Sequence, residues 1–326
     1  MTFRLPRRFA AATAAAALSL LSLTAQAAWP EKPIRIVVTF GPGGASDIIA
    51  REIATPLSVA LGQPVIVDNK PGAGGTIGGQ EVMRSAPDGY TLMLSNSTPL
   101  SIGPYTIPKL PYDPVKAFTH VEMLGSAPVL IMANPKAGMA SLKDVAKAVA
   151  ASGGRMGFGS GGPGSIGQIV GEMMKADMKL DMVHVPYRGG APMSADLMAG
   201  TIPMGIDVIT AYVPLVQSGS VTPLAVTSKV RSPLLPNVPT VAEAGYPDLY
   251  ADNYFGVSGP AGLPADITAK LGKALADIVA SPAIVKRFQE LGVIPQPLGQ
   301  AGFTAVVDKQ IHDWAPAIKA ADLIQK

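Results

Sequence analysis

The stretch "IRIVVTFGPGGASDIIAREIATPLSVALG", residues 34–62, sets the fold class. Its first part is a short, mostly apolar run of β-branched residues, the pattern of a strand buried on both faces. Its last part repeats Ile49, Ile53, Leu57 and Leu61 at every fourth position, one face of a helix that ends at Gly62. A Ser46–Asp47 cap is expected to open that helix and Pro56 to kink it. Between the two lies a glycine-rich turn. "PVIVDN" (64–69), "KPGAGGTIGG" (70–79), "QEVMRSA" (80–86) and "PDGYTLMLSN" (87–96) then read as strand, loop, helix and turn-plus-strand. A β-α-β-α-β order predicts a parallel, doubly wound sheet.

The same grammar returns later. "RMGFGS" (155–160), "GGPG" (161–164) and "SIGQIVGEMMKA" (165–176) are strand, loop and helix; "MVHVPYRG" (182–189) and "TIPMGIDVIT" (201–210) are further strands. Two longer extended segments, "VEMLGSAPVLIMANP" (121–135) and "DNYFGVSGPAG" (252–262), fit chain crossings between two units. The expected architecture is therefore two α/β lobes with a cleft between them. One lobe is discontinuous, 28–125 plus 256–326, and the other spans 126–255.

The N-terminus reads as an export signal rather than as structure. "MTFRLPRRF" carries Arg4, Arg7 and Arg8 and no acid, an uncharged Ala- and Leu-rich run follows, and Ala25 and Ala27 have small-x-small spacing. Residues 1–27 are a signal peptide on this reading, cut after Ala27, and the product acts outside the cytoplasm. Of the 26 Lys and Arg, three lie in this segment, so the remaining 23 balance the 23 Asp and Glu. A neutral mature chain offers no field for nucleic acid or anionic lipid. The absence of cysteine excludes disulfides, thiolate catalysis and cysteine metal sites.

Three glycine-rich loops follow strands, at 41–46, 71–79 and 159–165. Glycine lets backbone N–H groups approach a ligand, and a helix N-terminus adds unpaired donors and partial positive charge. Such loops hold a carboxylate or phosphate without Lys or Arg, at the carboxyl ends of the strands where open α/β sheets bind ligands. Gly159, Gly161 and Gly164 also match a dinucleotide fingerprint, with Asp181 at ribose-acid distance, but Pro163 and export argue against it. No G-x-S-x-G, no H-E-x-x-H and no Walker lysine occur, and His120, His184 and His312 are scattered. Neither a catalytic set nor a metal or cofactor site is expected. Asp47 and Asp207 each fit either a structural role or a contact to a ligand, and Phe40 fits either core or pocket wall.

Taken together, "PIRIVVTFGPGGASDIIAR", "LGQPVIVDNKPGAGGTIGG", "APDGYTLML", "LPYDPVKAF", "VPYRGGAP" and "LPNVPTVAEAGYP" resemble the Bug family, the periplasmic substrate-binding proteins of tripartite tricarboxylate transporters. The resemblance runs through the mature chain. It implies a type II periplasmic binding protein-like fold, two doubly wound α/β lobes closing on a ligand. It implies capture of a small carboxylate (a di- or tricarboxylate, an acidic amino acid or an aromatic acid) for integral-membrane permease subunits, by a monomer and without catalysis. A periplasmic sensor serving a signalling partner, and a periplasmic enzyme, are the alternatives. Carried over by position, the first pole is Phe40, Gly43, Gly44, Ala45, Ser46 and Asp47, with Gly72, Gly74 and Ser97 nearby. The second pole is Ser160, Gly164, Ser165 and Asp207. Gln168 departs from a histidine common in the family, and Ala117 from its usual "YDPKDF".

Overall fold

The computed structural model describes residues 29–323. The leader and its expected cut at Ala27 lie outside the described residues. In the first lobe β1 (Ile34–Val38) is the middle strand, flanked by β2 (Val65–Asn69) and β3 (Thr91–Asn96), all parallel. Ile34, Ile36, Val37 and Val38 are fully buried, which is why β1 reads as an unbroken apolar run. Helix α1 (Ala45–Leu61) covers this sheet with Ile49, Ile53, Leu57 and Leu61. It ends where Gly62, at φ 71°, turns left-handed and donates its N–H to the Ser58 carbonyl. Pro56 is carried inside one continuous helix.

Helix α2 (Thr76–Met83) starts inside what the sequence reading assigned to a loop. Gly78 and Gly79 are there for packing: a Cβ on Gly78 would meet Thr39 and the Lys70 carbonyl, and one on Gly79 would lie 2.8 Å from the Tyr112 hydroxyl. After β3 come a π turn at Thr98–Ile102 and the short α3 (Gly103–Thr106).

Strand β4 (Phe118–Ala133) is the longest and ties the lobes together. Along Phe118–Pro128 it pairs antiparallel with β9 (Asp252–Pro260), which joins it to β3. Along Val129–Ala133 it pairs instead with β7 (Met204–Val208) and β8 (Thr222–Val226). The second lobe repeats the first. Its middle strand β5 (Met156–Ser160) lies parallel between β6 (Met182–Pro186) and β7. Helices α4 (Leu142–Ala151), α5 (Ile166–Met178), α6 (Gly190–Ala199) and α7 (Val213–Gln217) pack around it. The chain returns through β9 to α8 (Ala265–Ala280), α9 (Pro282–Glu290), the short β10 (Ile294–Pro295) against β4, and α10 (Gly299–Ala320). Each sheet is thus a parallel trio extended by antiparallel crossing strands, rather than parallel throughout. No helix among the described residues is long and apolar enough to cross a membrane.

Candidate functional site

The repeated topology puts four loops at the carboxyl ends of parallel strands. Two leave β1 and β2, and two leave β5 and β6. They meet in pairs across the cleft. A Cβ on Gly41 would lie 2.7 Å from the Arg188 carbonyl, and Gly189 lies within reach of Gly41. A Cβ on Gly74 would lie 3.4 Å from the Pro163 carbonyl and 3.6 Å from Gly164 Cα. The lobes are closed, and glycine allows their backbones to touch.

The first loop is held rigid by Asp47. Its buried carboxylate accepts the Gly43 N–H (2.9 Å), Asn69 Nδ2 (3.0 Å) and the Arg51 guanidinium (2.9 Å to Nη2). Asn69 also donates to the Phe40 carbonyl at 3.0 Å. Burial pushes the Asp47 pKa up, but Arg51, Gly43 and Asn69 outweigh it, and the carboxyl ends below its ordinary range. Asp47 sits in the first turn of α1 and reaches back to Gly43; the N-cap is Gly44, which has no side-chain cap. The expected Ser46–Asp47 cap is corrected accordingly. The first-turn N–H groups of α1 are left facing the cleft without a capping side chain.

Replacing Asp47 with Ala strands a buried N–H and Asn69, and should cost about 2–4 kcal/mol of stability. Because its pKa is depressed, the contribution of Asp47 is present above the unfolded carboxyl pKa and lost as pH falls through the folded one. Urea denaturation at pH 7 checks the mutant; a loss under about 1 kcal/mol would show that the loop does not depend on this brace.

Ser46 Oγ accepts from Asn96 Nδ2 at 3.0 Å, and Asn96 Oδ1 takes the Thr98 N–H at 2.9 Å. Ser46 therefore keeps its own proton for a further acceptor.

In the second lobe Ser160 Oγ accepts from Gly162 N–H (3.2 Å) and Ser165 Oγ (3.0 Å), and its one proton has two partners, His184 Nε2 at 2.7 Å and the Gly162 carbonyl at 3.2 Å. Burial, then Lys175, lower the His184 pKa to about 4, which keeps the ring neutral at pH 7. Ser165 caps α5 by accepting from Gln168 N–H, and Gln168 Oε1 accepts the Gly164 N–H at 2.6 Å. Gln168 thus braces the loop that touches Gly74. Asp207, at the end of β7, accepts Val208 N–H (2.8 Å) on Oδ1 and the Tyr212 hydroxyl (2.9 Å) on Oδ2. Burial raises its pKa to about 6, against those two donors.

These parts enclose a cavity of about 40 Å³ between the lobes. Of the residues expected at the site, Phe40, Gly44, Ala45, Ser46, Ser165 and Asp207 line it. Gly72 and Gly74 line an adjoining space of about 270 Å³, which Phe40 also walls. Gly43, Asp47, Ser160 and Gly164 do not line the first cavity; they brace the loops that do. Ser97 lies behind it, where its Oγ accepts the Tyr254 N–H from β9 at 3.1 Å. The sequence reading missed Asn96, Thr98, Gly161, Ile166, Gly190, Val208 and Asn253, all of which line the cavity. It also missed the fourth loop, Tyr187–Gly189, although "YRGGAP" carries the same glycines-before-helix signal as the other three. No Lys, Arg or His lines the first cavity; the adjoining space has the exposed Arg188.

Two α/β lobes, joined by crossing strands and closed on a cavity at the ends of their parallel strands, have the architecture of a two-lobed solute-binding protein. The chain belongs to the tripartite tricarboxylate transporter family receptor group (TctC), whose family model matches residues 49–323. It is 35% identical to the protein BugT of Bordetella pertussis over 295 residues, 89% of this chain and 90% of that protein. Among solved structures it is similar to R. palustris Rpa4515 with adipate (TM-score 0.87, 31% identity, 90% of this chain and 98% of that one). It is also similar to MatC from Rhodopseudomonas palustris with bound malate (TM-score 0.85, 30% identity, 89% and 100%).

Proposed function

We infer that this chain captures a small carboxylate in the cavity between its lobes and hands it to the permease subunits of a tripartite transporter. The observation that carries the reading is the uncapped N-terminus of α1 facing a closed cavity whose walls hold no cationic side chain. Backbone donors, the Ser46 hydroxyl and the helix dipole then supply the attraction for the anion. The 16-residue α8 and 22-residue α10 both pack on β4, and α10 also reaches the turn after β3 and α5 of the second lobe. Relatives crystallised with adipate and malate support the ligand class. In this reading Phe40, Gly44, Ala45, Ser46, Ser165 and Asp207 meet the ligand, while Gly43, Asp47, Ser160 and Gly164 shape the loops. The lobes divide at 125/126 and 255/256, within a few residues of the change of partner on β4. The protein is exported by its leader, cut after Ala27, and works in the periplasm as a monomer.

A thermal-shift panel of dicarboxylates, tricarboxylates, aromatic acids and acidic amino acids tests this. A ligand present at about 100 times its Kd should add about 2.7 kcal/mol of stability. If no carboxylate of any class raises the Tm, the reading fails.

A further inference from the structure

An acid in the wall of an anion site needs a reason. Asp207 faces Gly190 and Gly161, and its hydrogen-bond partners are Val208 N–H and Tyr212 O–H, one on each oxygen. An ionised carboxylate has about four acceptor positions, so each oxygen keeps capacity for a further donor. No cationic side chain among the described residues pairs with it or lines the cavity. The opposite wall is the N-terminus of α1. A Cβ placed on Gly190 would lie 2.7 Å from Asp207 Oδ2 and 3.8 Å from Gly44 Cα, so the two poles are separated by little more than two hydrogen-bond lengths. One wall of the closed cavity offers donors and partial positive charge, and the other offers a negative acceptor. A diacid laid across it would put its second anion against Asp207. A ligand carrying adjacent carboxylate and ammonium groups matches both walls.

We propose that Asp207 is the specificity-determining acid of this receptor and that the ligand is an amino acid, its carboxylate on the α1 N-terminus and its ammonium on Asp207. This rests on the carboxylate-capture reading above. The exposed Arg188 beside the adjoining space suits a second carboxylate at the end of the ligand side chain, which favours acidic amino acids within the class. Tyr212 is a positioning residue: its hydroxyl fixes Oδ2 and also reaches the Gly190 carbonyl at 3.3 Å.

The test is isothermal titration of the mature protein with matched pairs that differ by one ammonium: L-aspartate against succinate, and L-glutamate against glutarate. The amino acid should bind at least tenfold more tightly than its diacid. In Asp207→Asn the amino acid should lose at least tenfold while the diacid holds or gains, so that the preference narrows or reverses. Proton counting at pH 6 in two buffers of different ionisation enthalpy gives a readout on the unmodified protein. An ammonium on Asp207 releases protons, because ionised Asp207 is favoured; a diacid beside it takes protons up. Diacids binding as tightly as amino acids, with proton uptake, would overturn the proposal and leave carboxylate capture standing. If neither member of either pair binds and other carboxylates do, the amino-acid assignment alone falls; if no carboxylate binds, both readings fall.

Discussion

Gly41→Val should lower ligand affinity about 100-fold or more while leaving the melting temperature of the ligand-free protein nearly unchanged. The expectation comes from where the added atoms would go. A Cβ on Gly41 has no neighbour within 4 Å except the Arg188 carbonyl group, at 2.7 Å to its oxygen. That carbonyl belongs to the opposite lobe. Gly41 is not in the left-handed region, so a side chain brings no backbone strain of its own. In an open molecule the side chain projects into the cleft; in the closed one it collides with main chain that cannot rotate away. Forced overpacking of this kind costs about 1–3 kcal/mol for small groups, and valine brings more atoms to the same contact. Since the penalty falls on the closed state alone, it subtracts from ligand-driven closure and not from folding. Gly41→Ala should be intermediate, at roughly a tenfold loss. Titration calorimetry measures the affinity, and small-angle scattering with saturating ligand reads closure. A Gly41→Val protein that binds normally, or that loses affinity and melting temperature together, would show that the loops do not meet in the bound state.

How much of this was legible beforehand depends on whether the cause was local. The β1–loop–α1 unit was readable because burial on both faces of β1 and one face of α1 leaves period and composition in the chain itself. The crossing strands were readable as extended, but β4's change of partner at Pro128/Val129 was not, since its partners lie about a hundred residues away. Asp47 was ambiguous for a similar reason: Asn69 comes to it from the next strand, and only that contact shows the carboxylate to be occupied by the loop. Asn96 and Asn253 line the cavity from strands whose adjacency is purely tertiary. "PGAGGTIGG" misled in the other direction. Its last two glycines read as loop, yet they are helical and small because Thr39 and Tyr112 press on them. The fourth loop was a missed local signal, present in "YRGGAP" and not weighed as a site.

Acid should weaken the fold as pH falls below about 6.5, and the buried His120 is one clear reason. The side chain is 1% exposed, set among Phe118 and Phe303 in the first lobe. Ser95 Oγ donates to Ser258 Oγ at 2.7 Å, Ser258 donates on to His120 Nδ1 at 2.9 Å, and His120 Nε2 donates to the Pro114 carbonyl at 3.0 Å. This chain satisfies a neutral imidazole with its proton on Nε2. A second proton on Nδ1 would face a hydroxyl already donating to it. Burial, only partly offset by the Pro114 carbonyl, lowers the pKa to about 4. The unfolded chain takes up this proton near pH 6.5 and the folded one only near 4, so stability is full above about 6.5 and falls as pH drops through that window. By pH 5 the loss should be about 2 kcal/mol from His120, approaching about 3 kcal/mol near pH 4. His184 in the second lobe adds to the slope from the same side, while Asp207, raised to about 6 by burial, is protonated in the fold before the unfolded chain and offsets part of it. Urea unfolding at pH 7.5, 6 and 5 measures it. His120→Gln, which keeps a donor and an acceptor but does not titrate, should be less stable at pH 7.5 and lose less on acidification. An unchanged slope in that variant would place the acid sensitivity elsewhere.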